Sequence, residues 1–220
     1  MINLSEISSS LQSGKAMETS ALITKAFAEN YSVESILKQG LIPGIKNMEE
    51  RLVRNEILLP EMLIATRAMN MGLKALRLLI PTPVGEPEAT VIIGTVKGEA
   101  QNIEKNLISV MMEGMGFKAL DLGTGVSAER FVQTAISEKA QFIIALSMLP
   151  TTMPQLKLIV QTAAAANIRD QIKIVIGGKP VTEKFCQAIG ADIYIPDAAN
   201  ASELVTARRI KPPYSPHRGL

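Results

Sequence analysis

The chain has 220 residues, of which 47% are hydrophobic, 20% charged and only 4% aromatic, and its formal net charge is +2. The small charge and the few aromatic side chains argue against a nucleic-acid or membrane partner. The single cysteine, Cys186, excludes an internal disulfide and a thiolate cluster. No stretch approaches the roughly 18 apolar residues of a membrane span, and MINLSEISSS lacks the regions of a signal peptide. We therefore expect a cytoplasmic protein.

Residues 1–82 are predicted to form a bundle of helices. Leu22, Ile23, Ala26 and Phe27 recur at the spacing of an amphipathic helix. Glycines and prolines further on, in the segments KQGLIPG and LLPEM, predict helix breaks or starts, which divides the stretch into four or five helices. Short connections between helices of this size are typical of an antiparallel bundle.

The pattern changes to alternating strands and helices after a proline-rich linker. Five apolar runs are predicted as strands, at residues 90–96, 118–123, 141–147, 173–177 and 192–196. Apolar strands separated by helices indicate a parallel sheet covered on both faces. The predicted fold class is α/β: an N-terminal helical bundle, a linker at 83–89, a flavodoxin-like five-stranded domain at 90–209 and a flexible tail at 210–220. A ligand of such a domain binds at the carboxyl ends of the strands.

Four loops fall at that edge of the sheet: KGEAQN, GTGVSAE, SMLPTTM and GGKP. Ser147, Thr151 and Thr152 offer hydroxyls after the third strand. Gly177 and Gly178 permit a ligand to approach the backbone closely. Each feature alone is compatible with an ordinary turn, but their position on one edge predicts a ligand site.

Several kinds of site are excluded. Neither GxGxxG nor GxxxxGK[ST] occurs at the expected places, which argues against a nucleotide site. The single histidine, His217, lies in the tail and rules out a Ser-His-Asp arrangement within the domain. No cluster of metal ligands is apparent. The kind of ligand that remains compatible with the sequence is a large one, held by shape, backbone groups and hydroxyls.

Ordered motifs then identify a family. The segments GTVKGEAQNIEKN, DLGTGV, SMLPTTM and GGKPVTEKFCQAIGAD resemble the corrinoid (cobalamin-binding) proteins of methyltransferase systems and the cobalamin-binding module of methionine synthase. In the helical half, LIPGIKNMEERLVRNEILLPEMLIATRAMNMGL resembles the cap of that family, so the resemblance runs from about residue 5 to 205. It implies a helical bundle over one face of the corrin and a flavodoxin-like domain holding the other.

The resemblance also implies a cofactor site. Family members bind cobalamin base-off, with the dimethylbenzimidazole tail in a deep pocket. In this sequence the pocket would be lined by Ser147, Leu149, Thr151, Gly177 and Gly178. In the cap, Met62, Ala65 and Met69 would face the upper side of the cobalt, or else belong to the core of the bundle.

One loop departs from the family pattern. The family reads Asp-x-His-x-x-Gly, with the histidine ligating cobalt, whereas the three positions here are Glu99, Gln101 and Glu104. Asn102 replaces the aspartate that commonly follows the histidine, and Ile103 completes the segment expected on the lower face of the cofactor. A carboxamide oxygen is a weaker donor than imidazole. We therefore expect cobalamin without histidine ligation, with Gln101 in weak or indirect contact with the cobalt.

Three functions remain open. The first is a methyl-carrying subunit, rather than a stand-alone enzyme, that accepts a methyl group from a substrate-specific methyltransferase and passes it to a second, methyl-accepting methyltransferase. The second is a cobalamin sensor or store. The third is a degenerate, non-catalytic paralogue in which Glu104 blocks the corrin site.

Overall fold

The computed structural model of the chain describes residues 2–81, 87 and 89–201. The chain divides into two compact units, residues 1–83 and 84–220. The predicted linker lies mostly outside the described residues, which include only positions 87 and 89 of it. The predicted tail, with His217, lies wholly outside them, as do residues 202–209 of the predicted second domain.

The first unit is helical, as predicted. Its helices are α1 (Ser5–Gln12), α2 (Ala16–Ala28), α3 (Val33–Ser35), a π-helical segment (Ile36–Leu41), α4 (Ile42–Val53) and α5 (Leu59–Leu79). The start of α5 follows from its sequence: Pro60 occupies the first turn, and the Glu61 carboxylate accepts a hydrogen bond from the Leu58 backbone N–H at 2.8 Å.

Gly40, in the segment KQGLIPG, was predicted to mark a helix break or a helix start, and it marks neither. Residues 33–53 form one continuous helical stretch, in which the π-helical turn accommodates Gly40 and Pro43 follows in the first turn of α4. Gly40 is buried, and a Cβ atom there would lie 3.2 Å from the side chain of Ile7. The glycine thus serves close packing against α1, a tertiary reason that outweighs its low helix propensity.

The core of the first unit forms where α2 and α5 pack together. Ile23 and Ala26 are fully buried, and a Cβ atom on Gly72 would lie 2.9 Å from Ile23. The two helices therefore approach closely at the glycine. Among the helices that the structure describes, none is both long and apolar enough to cross a membrane.

The second unit contains a five-stranded parallel sheet with helices between its strands, which confirms the predicted fold class. The elements are β1 (Thr90–Thr95), α6 (Ile103–Gly114), β2 (Lys118–Asp121), α7 (Ala128–Ser137), β3 (Phe142–Leu146), α8 (Met153–Ala165), β4 (Lys173–Gly177), α9 (Glu183–Ile189) and β5 (Ile193–Ile195). The strand order is β2-β1-β3-β4-β5. Four of the five predicted strands extended one or two residues too far.

The order of the strands determines which loops are neighbours at the carboxyl edge of the sheet. Chain order reverses at β1, which lies between β2 and β3, and β3 pairs with β4. Residues of β1 and β3 are buried along their whole length, because helices cover both faces of the sheet. The loops that follow β1, β3 and β4 therefore lie side by side at the carboxyl edge of the sheet.

Candidate functional site

The loop after β1 turns sharply and passes against the loop after β3. Val96 still belongs to the sheet, since its N–H donates to the Leu146 carbonyl at 3.0 Å, and the Glu99 N–H donates to the Val96 carbonyl at 3.0 Å to close the turn. Gly98 has a φ of +93°, and a Cβ atom there would lie 3.0 Å from the Thr152 methyl group. A side chain at this position would therefore strain the backbone and crowd the neighbouring loop.

The Glu99 carboxylate joins these two loops. Its Oε1 atom accepts hydrogen bonds from the backbone N–H groups of Met148 at 2.7 Å and Leu149 at 2.8 Å, and a short hydrogen bond from the Thr152 hydroxyl. The residue is only 4% exposed. Three donors to one oxygen fix the side chain in place, because charge-assisted hydrogen bonds are the strong ones.

Two polar atoms at this site have no hydrogen-bond partner within the described part of the chain. They are Glu99 Oε2 and Thr95 Oγ1, and both are buried. Leaving a buried polar group unsatisfied costs about 1–3 kcal/mol, and more for a charged group. Native proteins contain few such atoms, and each calls for an explanation.

Ser147, directly after β3, connects to the same network. It is fully buried, its hydroxyl lies 2.8 Å from Thr152 Oγ1, and it donates to the Leu149 carbonyl at 3.1 Å. Thr152 is buried, whereas Thr151, which was predicted to line the pocket, is exposed. Both hydroxyls were apparent in the sequence, but the short 3-10 turn at 150–152 decides which one points inward.

The end of β4 lies against Ser147. The Ser147 N–H donates to the Gly177 carbonyl at 3.0 Å. Gly178 has a φ of +117°, and a Cβ atom there would lie 2.7 Å from the Ser147 carbonyl carbon. Only glycine fits such a crossing. Ser147, Gly177 and Gly178, three of the predicted pocket residues, are thus brought together, while Leu149 is 42% exposed beside them.

The predicted lower-face residues lie at the beginning of α6. Gln101 and Asn102 are exposed, and Ile103, the first residue of the helix, is half-buried. The Glu104 carboxylate accepts a short hydrogen bond from the backbone N–H of Ala198, in the segment after β5. The glutamate that replaces the family glycine therefore has a partner within the protein.

A buried ion pair holds α6 against the end of β2. Lys105 is 3% exposed, and its ammonium group pairs with the Asp121 carboxylate and lies 2.7 Å from Asn106 Oδ1. Asp121 Oδ1 also accepts from the Gly123 N–H at 2.8 Å. The loop after β2 is therefore tied to the same helix that follows Gln101.

Three other residues named from the sequence belong to other elements of the chain. Met69 is fully buried and Met62 is 9% exposed, both in the core of the helical unit. Cys186 is buried on α9, and burial raises the pKa of its thiol to about 11, with smaller contributions from Asp192 and Glu183. Within the described ranges, no group of three or more His, Cys, Asp or Glu side chains could hold a metal ion.

Comparison with known sequences identifies both halves of the chain. Residues 89–206 match the model of the B12 binding domain, and residues 4–77 match a second B12 binding domain model. The trimethylamine corrinoid protein 1 of Methanosarcina acetivorans is 32% identical over 185 residues, 83% of this chain and 86% of that protein. The dimethylamine corrinoid protein of Methanosarcina barkeri is 32% identical over 203 residues, 92% of this chain and 93% of that protein.

Solved structures share the fold. The monomethylamine corrinoid protein of Methanosarcina barkeri superposes with a TM-score of 0.79 at 24% identity, covering 93% of this chain and 97% of that one. The methanol:cobalamin methyltransferase complex of the same organism gives a TM-score of 0.53 at 20% identity, covering 92% of this chain and 77% of that one. The family models and the relatives, which span most of the chain, lead to one conclusion: this chain belongs to the B12-binding corrinoid proteins.

Proposed function

We propose that this protein binds cobalamin base-off and carries a methyl group between a substrate-specific methyltransferase and a second, methyl-accepting methyltransferase. The observation that supports the proposal is a cluster of buried polar groups at the carboxyl ends of β1, β3 and β4. There the buried hydroxyls of Ser147 and Thr152, the Glu99 carboxylate and the bare backbone of Gly178 come together.

The side chains at this edge fit the nucleotide tail of cobalamin. The tail combines a flat apolar base with a ribose and a phosphate, so it requires hydroxyl and backbone contacts at close range. Ser147 and Thr152 supply hydroxyls, and Gly178 lets the backbone after β4 cross directly against Ser147. Thr95 Oγ1 and Glu99 Oε2 offer two further buried polar atoms, for which the described residues provide no partner.

The lower face differs from the family pattern. When bound, cobalamin supplies a cobalt centre that takes up and releases a methyl group. Gln101 is exposed at the turn before α6 and offers a carboxamide oxygen, a weak donor, in place of imidazole. Glu104 is engaged by the Ala198 N–H, which supports an open site rather than one that this side chain blocks.

The proposed partners follow from the relatives. The matched structure of a methanol:cobalamin methyltransferase complex supports a methyltransferase partner for a chain of this fold. Relatives named for trimethylamine and dimethylamine have the same identity to this chain, 32%. The proposal therefore extends to small methylated donors as a class, and not to one of them.

A retention experiment tests cofactor binding. The purified protein is mixed with hydroxocobalamin and desalted, and we expect the visible absorbance of the corrin to elute with the protein. If the wild-type protein emerges colourless, the degenerate-paralogue hypothesis is correct instead.

Two further experiments separate the finer parts of the proposal. Gln101→His should shift the visible spectrum and the cobalt spin-resonance spectrum of the bound cofactor, whereas the control Asn102→His should shift neither. An unchanged Gln101→His spectrum would exclude residue 101 from the lower face. Transfer of a labelled methyl group by a methyltransferase from the same cell distinguishes a carrier from a sensor or store, which would retain cobalamin without turnover.

A further inference from the structure

We infer that Glu99 is a specificity-determining residue that contacts the nucleotide tail of the cofactor directly through its Oε2 atom. The inference rests on the proposed function and deepens it, because it names the part of cobalamin that this side chain recognises. In the family pattern an aspartate at this position orients the histidine ligand. Here position 101 is glutamine, and the carboxylate at position 99 serves other contacts.

The geometry of Glu99 is set by the protein alone. Oε1 takes hydrogen bonds from the N–H groups of Met148 and Leu149, at 2.7 Å and 2.8 Å, and from the Thr152 hydroxyl. These contacts span 49 to 53 positions of sequence and fasten the loop after β1 to the loop after β3. The direction of Oε2 is therefore fixed before any ligand arrives, which is the requirement for a preorganised contact.

Fastening the loops does not account for the second oxygen. All three donors bind Oε1, and Oε2 is buried without a partner within the described part of the chain. Because both oxygens belong to one carboxylate, Oε2 lies beside the Thr152 hydroxyl that bridges to Ser147. A buried carboxylate oxygen requires a hydrogen-bond donor.

The tail of cobalamin carries donors of the kind that Oε2 lacks. Its ribose bears free hydroxyl groups, whereas cobinamide, the corrinoid without the nucleotide tail, has no ribose. Thr95 Oγ1, also buried and unpartnered among the described residues, lies at the end of the same strand, β1. The chemistry therefore points to a hydroxyl-bearing group of the ligand at this position.

The test is the near-isosteric variant Glu99→Gln. Its amide oxygen keeps the three donors of Oε1, while an NH₂ group replaces the acceptor Oε2 and meets the ligand donor with a second donor. Dissociation constants for cobalamin and cobinamide are measured by absorbance titration of the ligand-free full chain. We expect cobalamin binding to weaken by roughly 10- to 100-fold, the usual worth of a charge-assisted hydrogen bond, and cobinamide binding to change by less than about twofold.

A matched control removes the same charge elsewhere in the unit. Glu138 pairs with Lys118 at 2.9 Å on the surface and has a 39% exposed side chain, so Glu138→Gln should leave both dissociation constants unchanged. Thermal unfolding of ligand-free Glu99→Gln checks its fold. If that variant fails to fold, Glu99→Asp replaces it. This variant keeps the charge, draws both oxygens back by one methylene, and should weaken cobalamin binding more than cobinamide binding.

The outcomes are distinct. A loss for cobalamin alone supports the contact. Equal losses for cobalamin and cobinamide would mean that Glu99 acts only by holding the loops, and no loss would mean that Oε2 meets no ligand group; either result overturns the inference while the proposed function stands. If the wild-type chain binds no cobalamin, the proposed function and the inference fall together.

Discussion

Replacing Gly178 by alanine tests the backbone crossing that forms one wall of the site. Two costs add. The φ of +117° is unfavourable for any residue with a Cβ, and a Cβ atom there would lie 2.7 Å from the Ser147 carbonyl carbon. Because the neighbour is backbone, β3 and β4 must separate, which breaks the hydrogen bond from the Ser147 N–H to the Gly177 carbonyl. We expect a total destabilisation of about 3–5 kcal/mol.

Gly116 provides the matched control. It has a φ of +87°, but nothing lies within 4 Å of a Cβ atom built on it. Gly116→Ala therefore carries only the cost of the left-handed backbone, about 1 kcal/mol. The difference between the two variants isolates the steric cost of the crossing.

Hydrogen exchange followed by mass spectrometry measures both variants within the full chain. Peptides that cover β3 and β4 report the free energy of opening of the second unit. A loss of about 3 kcal/mol would lower their protection by roughly 150-fold in Gly178→Ala, against about fivefold in Gly116→Ala. Equal effects in the two variants would refute the conclusion that the end of β4 is pressed against Ser147.

Three further predictions concern other contacts. Lys105→Met should lower the free energy of unfolding, measured in urea, by about 2 kcal/mol. This cost is smaller than that of breaking a fully buried ion pair, because the Asp121 side chain is 27% exposed. Adding Asp121→Asn should recover part of the loss. The pKa of the Cys186 thiol is raised from 9.0 to about 11, so at pH 9 the thiol should resist alkylation in the folded chain but not in the unfolded one. Because the unfolded chain loses this proton first, the free energy of unfolding should fall between pH 9 and 11. Rapid labelling of the folded protein would contradict both expectations. Glu104→Ala should raise exchange of the Ala198 amide by about tenfold, while Glu104→Gln, which keeps an acceptor, should not.

The sequence was informative where periodicity decides the structure. The change from helical spacing to apolar runs separated by helices predicted the bundle and the parallel sheet, and both are present. The break predicted at Gly40 failed because the missing side chain serves packing against Ile7. Helix propensity indicates that a glycine destabilises a helix, but it does not show which tertiary contact compensates for that cost.

The site was predictable to the level of its loops but not of its contacts. Ser147, Gly177 and Gly178 lie together as expected, because the ends of neighbouring parallel strands share one edge. The choice of Thr152 over Thr151 depends on a single turn of 3-10 helix. The partners of Glu99 lie about 50 residues away in sequence, and no local pattern announces such a pairing.

The changes in the loop after β1 are best understood as one change in chemistry. An aspartate that orients an imidazole has no task once the imidazole is absent. The longer side chain of Glu99 reaches the loop after β3 instead, and Glu104 binds the Ala198 N–H after β5. Two carboxylates thus fasten the loops after β1, β3 and β5, and none of the described hydrogen bonds engages the exposed Gln101. Under the proposed function, recognition of the cofactor depends on the tail pocket, where Glu99 Oε2 has no partner among the described residues.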